Sequence, residues 1–277
     1  MLNPFADNSS PRVAVITIFG KISSTDNVSF KNAKNQVDRA FSQLNLVAVC
    51  LSVDSPGGSA VQSHLIAEYI RGKATKQNVP VFGFVEDRAA SGGYLVACAA
   101  DLIFVSRFSM VGSIGVVMTS FSLTQAMKKI GVESKVFTAG SRKGGLNPLL
   151  ETSEQEENDI EKLLFETHKE FIDFVKERRM GKLKEEESED LFSGAVFGAQ
   201  RALSLGLVDD LYTVMEDKVA ELLKMDKLKM VAFNVEEKSG LPGFLGLTSP
   251  RQRFFETFLM KMMNFFSDGV NTFISFK

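Results

Sequence analysis

The chain of 277 residues has few of the residues on which many protein classes depend: it contains no tryptophan, two cysteines and two histidines. Two cysteines with two distant histidines do not make a zinc site. Cys50 and Cys98 both lie in apolar runs, which is typical of small buried thiols. The sequence therefore predicts neither a bound metal nor a cofactor.

Charge of one sign and long apolar runs are also missing. A net charge of −2 gives no electrostatic basis for binding nucleic acid. No run of about 20 apolar residues predicts a membrane-spanning helix, and the short polar stretch over residues 1–11 does not resemble a signal peptide. Such a sequence fits either a soluble protein or one whose anchor precedes residue 1, so the compartment stays open.

What the sequence does contain is an alternation of strand-like and helix-like segments. The β-branched run over residues 13–19 predicts a strand, and the apolar run over residues 46–53 is typical of a central strand buried on both faces. Further strands are expected over residues 79–85, 102–105, 115–121, 134–138 and 229–233. The alternation predicts an α/β fold in layers.

The character of the chain changes twice towards its carboxyl end. A long helix is predicted from Thr152 to Arg179, and glycine and proline breaks then predict a linker over residues 236–251. We expect one large domain over residues 1–235 and a separate tail over residues 252–277. Apolar side chains in the tail recur at helical spacing. The tail is an oligomer contact or packs on the domain, lies on a membrane surface, or enters a neighbour's cleft.

Glycine-rich turns carry the residues of chemical interest. Ser91 precedes Gly92 at the predicted start of a helix, whose free N–H groups would face a developing oxyanion. Gly57 and Gly58 form a second turn after a strand and would add backbone donors beside Ser91. Strand-to-helix turns are where open α/β folds place their sites. Each turn taken alone is also a common connection without chemistry.

A serine nucleophile needs a base, and Lys143 is a candidate. The ordinary lysine pKa is about 10.4, so a lysine acts as a base only where burial lowers it. Ser113 would accept a hydrogen bond from the amine and hold it, or is a simple turn serine. His64 and His168 compete as bases, but neither lies in a glycine-rich turn and no acid is placed to orient either.

Four motifs hold these residues: Asp54–Gly58, Ala90–Tyr94, Gly112–Gly115 and Thr138–Lys143. In order and spacing they resemble the signal peptide peptidase A family of Ser-Lys peptidases. Residues 206–209 resemble the closing motif of that family, and residues 167–175 resemble its SohB branch. The resemblance covers roughly residues 12–233. Asp54 within the first motif is more typical of a turn-forming acid than of a base.

The resemblance implies a ClpP/crotonase-like fold, with α/β layers stacked in a spiral, for the domain over residues 1–235. It assigns the following roles: nucleophile Ser91, general base Lys143, lysine-positioning Ser113, and oxyanion-hole donors Gly57, Gly58 and Gly92. It also implies a membrane-associated homo-oligomer that cleaves exposed or unfolded peptides, including cleaved signal peptides. Contact with a membrane surface would involve Phe254–Phe276. The chain departs from many relatives in having Gly144 after Lys143 and in lacking an amino-terminal anchor.

Two other functions fit parts of the pattern. A crotonase-like acyl-CoA enzyme would also use glycine-rich turns for an oxyanion, but a Ser-Lys pair has no role in that chemistry. An inactive scaffold of the same fold would assemble at a membrane through the tail, but every catalytic position of the motifs is filled.

Overall fold

The computed structural model describes residues 10–140, 142–187 and 189–233. The strands are β1 (Arg12–Phe19), β2 (Leu46–Ser55), β3 (Val81–Ala90), β4 (Leu102–Val105), β5 (Met110–Gly112), β6 (Val196–Gly198), β7 (Asp210–Leu211) and β8 (Lys229–Phe233). The helices are α1 (Phe30–Phe41), α2 (Ala60–Gln77), α3 (Gly92–Ala97), α4 (Thr124–Lys129), α5 (Glu154–Arg178), α6 (Ala199–Ser204) and α7 (Met215–Leu223). The predicted linker over residues 236–251 and the predicted tail over residues 252–277 lie outside the described residues.

Within the described residues, eight strands form one sheet, in which β6, β5, β3, β2, β1 and β8 are successive neighbours. The strand β4 pairs with β3 and with β7, outside this order. All pairings are parallel except that of β5 with β6. Because parallel neighbours need crossover connections, helices cover such a sheet, and the predicted α/β class is confirmed.

The central strand β2 shows why the sheet forms where it does. Val49, Leu51 and Val53 belong to one apolar cluster, whereas Ala48 and Cys50 belong to a second. Successive side chains of a strand point to opposite faces, so an unbroken apolar run buries both faces of β2. Each fully buried aliphatic side chain contributes about 1.5–3 kcal/mol relative to an exposed one.

The described residues group into two compact units. Residues 10–116 and 168–233 belong to the first unit, and residues 117–167 belong to the second. The first unit contains the whole sheet. The strands predicted over residues 115–121 and 134–138 are wrong, because the structure describes no β-strand element over either segment. Residues 135–138 are exposed and so have no buried face to place in a sheet.

The part of the chain that the structure describes contains no helix long and apolar enough to cross a membrane. The longest helix, α5, has three acidic side chains in its first turn and two basic side chains in its last turn. These charges complement the helix dipole.

Candidate active site

Ser91 occupies the turn between β3, which ends at Ala90, and α3, which begins at Gly92. Its backbone has φ 55° and ψ −122°, a conformation that costs a non-glycine residue about 1–3 kcal/mol. The Ser91 N–H donates to the Gly112 carbonyl at 2.7 Å, and the Ser91 carbonyl accepts from the Leu95 N–H at 3.0 Å. The sheet on one side and the helix on the other thus hold the strained turn.

The Ser91 side chain is fully buried, yet its hydroxyl has no hydrogen-bond partner among the described residues. Although Ser91 is the N-cap residue of α3, its side chain does not bond to the helix end. A buried hydroxyl without a partner costs about 1–3 kcal/mol. Most buried hydroxyls have a hydrogen-bond partner. The Ser91 hydroxyl has none in the described part of the chain, so it is available to react with or bind a ligand.

The glycine turn lies directly against Ser91. A Cβ atom placed on Gly57 would be 2.7 Å from Gly92 N and 2.9 Å from Ser91 Cβ. A Cβ atom placed on Gly92 would be 3.4 Å from Gly58 N. Gly57 and Gly58 have φ values of 94° and 145°, which side chains rarely allow. The structure therefore brings Gly57, Gly58, Ser91 and Gly92 together.

The donors of the glycine turn are not equivalent. The Gly57 N–H already donates to Ser55 Oγ at 3.1 Å, and Ser55 Oγ donates to the Gly20 carbonyl at 2.7 Å. The Gly58 N–H has no acceptor among the described residues. The Gly92 N–H is the first of α3, where helix geometry supplies no acceptor. Gly58 and Gly92 thus offer free N–H donors. Gly57 contributes by having no side chain, which lets its backbone lie close to Ser91 and Gly92.

Ser113 lies beside the Ser91 turn because of strand register. Ala90 of β3 pairs with Gly112 of β5, so the residues that follow them, Ser91 and Ser113, leave neighbouring strands at the same level. Ser113 is nearly buried and has φ 52°. Its N–H donates to the Ala195 carbonyl at 2.7 Å. The first unit therefore positions both predicted serines.

Lys143 belongs to the second unit and has an exposed side chain. Its N–H donates to the Gly140 carbonyl at 3.0 Å within a turn. Val136, Phe137 and Lys143 line an open pocket of about 410 Å³ in the same unit. A lysine that acts as a base is expected to be buried, whereas the Lys143 side chain is exposed in this structure. The glycine-rich turn has few side chains that could cover it.

The alternative bases have other contacts. The His64 ring meets the Phe174 ring edge to face at 5.6 Å between centroids. His168 Nε2 lies 3.0 Å from the Ile114 carbonyl oxygen, a contact that the sequence did not suggest. Burial raises the pKa of the Asp54 carboxyl. Neither histidine bonds to the Ser91 hydroxyl, which has no hydrogen-bond partner among the described residues.

Buried polar contacts fix the helix that follows Ser91. The Tyr94 hydroxyl donates to the Leu207 carbonyl at 2.7 Å, and burial raises the pKa of Tyr94, so this hydroxyl keeps its proton. Arg178 Nε donates to the Cys98 carbonyl at the end of α3 at 2.9 Å. Both contacts join residues far apart in the sequence, which is why sequence patterns did not reveal them.

The predicted closing motif ends at Asp209, which lies in an ion-pair cluster. Its carboxylate is 2.7 Å from Arg179 Nη1 and 2.6 Å from Lys182 Nζ, and it also accepts from the Ile103 N–H at 2.7 Å. Burial alone would raise the pKa of Asp209, but the hydrogen bonds from Arg179 and Lys182 outweigh burial and lower it. This motif therefore ties α5 to the sheet.

A family model described as Peptidase family S49 matches residues 73–229, more than half of the chain. The chain belongs to peptidase family S49. This is a family of serine peptidases, and the resemblance found in the sequence is confirmed. The matched region includes Ser91, Ser113 and Lys143 and begins after the Gly57–Gly58 turn.

Relatives of several kinds share this S49 sequence. A Brucella abortus protein named Na(+)/H(+) antiporter NhaA is 45% identical over 69% of this chain and 26% of its own length. The putative protease MJ0651 of Methanocaldococcus jannaschii is 32% identical over 70% of this chain and 62% of its own length. A putative signal peptide peptidase SppA of Enterococcus faecium is 26% identical, over 85% and 70% respectively. The chain thus spans about a quarter of the Brucella protein and less than two thirds of the archaeal one.

Solved structures of the 1510-N membrane-bound stomatin-specific protease have the same fold. A serine-to-alanine mutant gives a TM-score of 0.51 at 16% identity, over 81% of this chain and 98% of its own. A lysine-to-alanine mutant in complex with a substrate peptide gives 0.50 at 17% identity, over 90% and 98%. The ClpP/crotonase-like α/β fold predicted for this S49 chain is confirmed.

Proposed function

We propose that this S49 chain is a serine endopeptidase in which Ser91 is the nucleophile and Lys143 the general base. One observation carries the proposal: Ser91 is strained and buried, and its hydroxyl has no partner among the described residues. A residue that serves only to form a turn has no reason to combine these costs.

The reaction proceeds through an acyl-enzyme. Ser91 Oγ attacks the carbonyl carbon of the scissile peptide bond while Lys143 Nζ takes the hydroxyl proton. The carbon–nitrogen bond then breaks, and the leaving nitrogen receives that proton from Lys143. Lys143 then takes a proton from water, whose oxygen adds to the ester carbon. The bond from that carbon to Ser91 Oγ breaks, Ser91 Oγ receives the proton from Lys143, and the new carboxylic acid leaves.

The Gly58 and Gly92 N–H groups would hold the oxyanion. Their proximity to each other and to Ser91 supports this role. Donors of this kind each stabilise a transition state by about 2.7–4 kcal/mol. Gly57 would contribute by its missing side chain, since its own N–H is bonded to Ser55 Oγ.

An amine accepts a proton only in its neutral form, and removal of water from the exposed Lys143 side chain would favour that form. We propose that a bound peptide, or a neighbouring copy in a homo-oligomer, covers the Lys143 turn and so removes water from the amine. Ser113 would then hold the neutral amine by a hydrogen bond. Activity is accordingly expected to rise towards alkaline pH, because only the neutral amine accepts a proton.

The substrates we propose are exposed peptides, including cleaved signal peptides, which would add as an extended strand beside Ser91. Support comes from the names of relatives: one is a putative signal peptide peptidase, and another is a membrane-bound stomatin-specific protease. Association with a membrane, the domain over residues 1–235 as the peptidase domain, and the role of the tail stay predictions.

Cleavage of a panel of fluorogenic peptides with small or apolar residues before the cut tests the proposal. Ser91→Ala and Lys143→Ala are each expected to lower kcat/KM by about a thousandfold or more. Lys135→Ala and Ser120→Ala, which change exposed residues of the second unit, are matched controls and should keep wild-type activity.

Activity that survives Lys143→Ala, or a rate that is flat from about pH 6 to about pH 9, would remove Lys143 as the base. The exposure of Lys143 favours one alternative, an inactive scaffold of the same fold. That alternative predicts no cleavage by any form of the protein and unchanged biological function in Ser91→Ala. Binding of acyl-CoA in calorimetry would instead indicate a crotonase-like enzyme.

A further inference from the structure

His168 lies in the carboxyl-terminal part of α5, which belongs to the first unit. Phe171 and Val175 follow His168 at spacings of three and seven residues, and both are buried in the main core cluster. Residues at these spacings share one face of a helix. His168 is therefore held by the packing of its own helix and does not swing freely in solvent.

The hydrogen bond of His168 has a defined direction. His168 Nε2 lies 3.0 Å from the carbonyl oxygen of Ile114, and a carbonyl oxygen only accepts hydrogen bonds. The Nε2 atom must therefore carry the proton in this contact. Ile114 is fully buried, so its carbonyl needs a donor from within the protein.

The bond reaches the turn that carries Ser113. Ile114 directly follows Ser113, which has the positive φ of 52°. Gly112, on the other side of Ser113, accepts a hydrogen bond from the Ser91 N–H. A strained turn persists only where its surroundings fix it. His168 and the Ala195 carbonyl are both parts of those surroundings.

The same helix holds the segment that follows Ser91. Arg178, ten residues after His168, donates to the Cys98 carbonyl at the end of α3. A rise of 1.5 Å per residue separates these contacts by about 15 Å along α5. One rigid element thus fixes the Ser113 turn at one point and the helix after Ser91 at another.

We propose that His168 is a positioning residue whose Nε2–H bond to Ile114 fixes the Ser113 turn. The inference rests on the proposed function, in which Ser113 holds the Lys143 amine. His168 itself does not touch the substrate or the reacting atoms. Loss of its bond would let Ser113 move, and misplacement of a catalytic group by about 1 Å can cost about a hundredfold in rate.

The test compares two amides that differ by one methylene. In His168→Gln the side-chain nitrogen takes the place of Nε2, whereas in His168→Asn it stops near the place of Nδ1 and cannot reach Ile114. We expect kcat to fall about ten- to a hundredfold in His168→Asn with KM within about twofold, and to recover most of this loss in His168→Gln. Thr167→Val, which removes the neighbouring bond to the Leu163 carbonyl, is the matched control and should behave as wild type.

A double-mutant cycle with Ser113→Ala identifies the route of the effect. If His168 acts through Ser113, adding His168→Asn to Ser113→Ala should change kcat by less than about twofold. Independent, multiplicative losses would overturn the proposal. Equal losses in His168→Asn and His168→Gln, or a loss that merely follows the melting temperature, would also overturn it.

Amide hydrogen exchange tests, without any measurement of activity, whether His168 fixes the Ser113 turn. The Ser113 and Gly115 N–H groups donate to the Ala195 and Ser113 carbonyls, so their exchange rates report on the order of the turn. His168→Asn should speed exchange in residues 112–115 at least tenfold, and His168→Gln should not. Unchanged exchange in His168→Asn would overturn the inference. An inactive wild type, or an active Ser91→Ala, would instead refute the proposed function and leave the exchange result to stand by itself.

Discussion

The two units differ in how much of their chain is buried. The first unit buries most of β2 and all of α3, whereas Thr124 is the one buried residue among the described residues of the second unit. Ser91 belongs to the first unit and Lys143 to the second. Packing thus fixes the position of the candidate nucleophile. The candidate base lies in an exposed turn, where a bound ligand could still cover it.

The two serine turns of the first unit combine a strained backbone with burial. Ser91 and Ser113 keep positive φ values because strands and helices bond to both sides of each turn. The turn around Lys143 also holds a positive φ, 64° at Leu146, but its Lys143 side chain is exposed. The fixed turn and the exposed turn therefore belong to different units, and one segment does not have to be both rigid and adaptable.

The largest expected difference between the units concerns their ion pairs. Arg179 is 1% exposed in its pair with Asp209, whereas Lys128 and Glu151 are 70% and 73% exposed in theirs. Asp209→Asn should lower stability by about 3–5 kcal/mol, because it leaves a buried guanidinium without its counter-charge. Glu151→Gln should leave the melting temperature unchanged within error. Thermal unfolding followed by circular dichroism measures both.

The pH dependence of this effect has a defined sign. The pKa of Asp209 is lower in the folded protein than its ordinary value of 3.8. The stability that its charge contributes is therefore present above about pH 4 and is lost as the pH falls through the lower, folded pKa. The difference in stability between wild type and Asp209→Asn should become smaller below about pH 4. A difference that becomes larger there would show that the ion pair is not the cause.

A smaller effect is expected from adding one methyl group to each unit. A Cβ atom on Gly93 would lie 2.7 Å from the Ser55 carbonyl oxygen, whereas a Cβ atom on Gly131 would meet nothing within 4 Å. Gly93→Ala should cost about 1–3 kcal/mol and impair cleavage, although alanine ordinarily favours a helix.

The matched substitution Gly131→Ala separates crowding from backbone strain. Gly131 has φ 73°, so alanine there should cost about 1–2 kcal/mol through the backbone alone and leave cleavage unchanged. Denaturant titration with a peptide assay compares the two variants. If Gly93→Ala stabilises the protein, α3 does not pack on Ser55 as closely as in this structure.

The smallest perturbation uses thiol chemistry. Cys50 and Cys98 are both fully buried, and burial raises the pKa of Cys98 to about 11. Neither should react with a maleimide in the folded protein at neutral pH. Phe137 is 94% exposed, so the variant Phe137→Cys should react at once. Labelling of Cys98 before global unfolding would mean that the first unit opens around α3.

The sequence predicted the parts of the fold that local pattern determines. The apolar run of β2 and the β-branched run of β1 are long enough to be recognised by composition, and a glycine-rich turn follows β2. Each of the turns is recognisable from its glycine-rich composition, which is why the sequence could indicate Gly57, Gly58, Ser91 and Ser113. Their proximity follows from parallel strands ending at one edge of a sheet.

What the sequence could not predict depends on contacts between distant segments. The strands β5, β6 and β7 have three residues or fewer, too few for a periodic pattern. The segment over residues 134–138 looks like a strand by composition but has no sheet neighbour among the residues that the structure describes. The bond from His168 to Ile114 joins residues 54 positions apart, and its only local signal is that His168 shares a face with Phe171.

The pairing of β1 has a consequence for biosynthesis. This strand lies between β2 and β8, and β8 comprises Lys229–Phe233. A ribosome releases β1, β2 and β3 long before it has made β8, so one edge of β1 lacks its partner during most of translation. Open strand edges pair readily with other chains. A nascent chain stalled before residue 229 should therefore be aggregation-prone, and release of β8 is the step that closes this edge of the sheet.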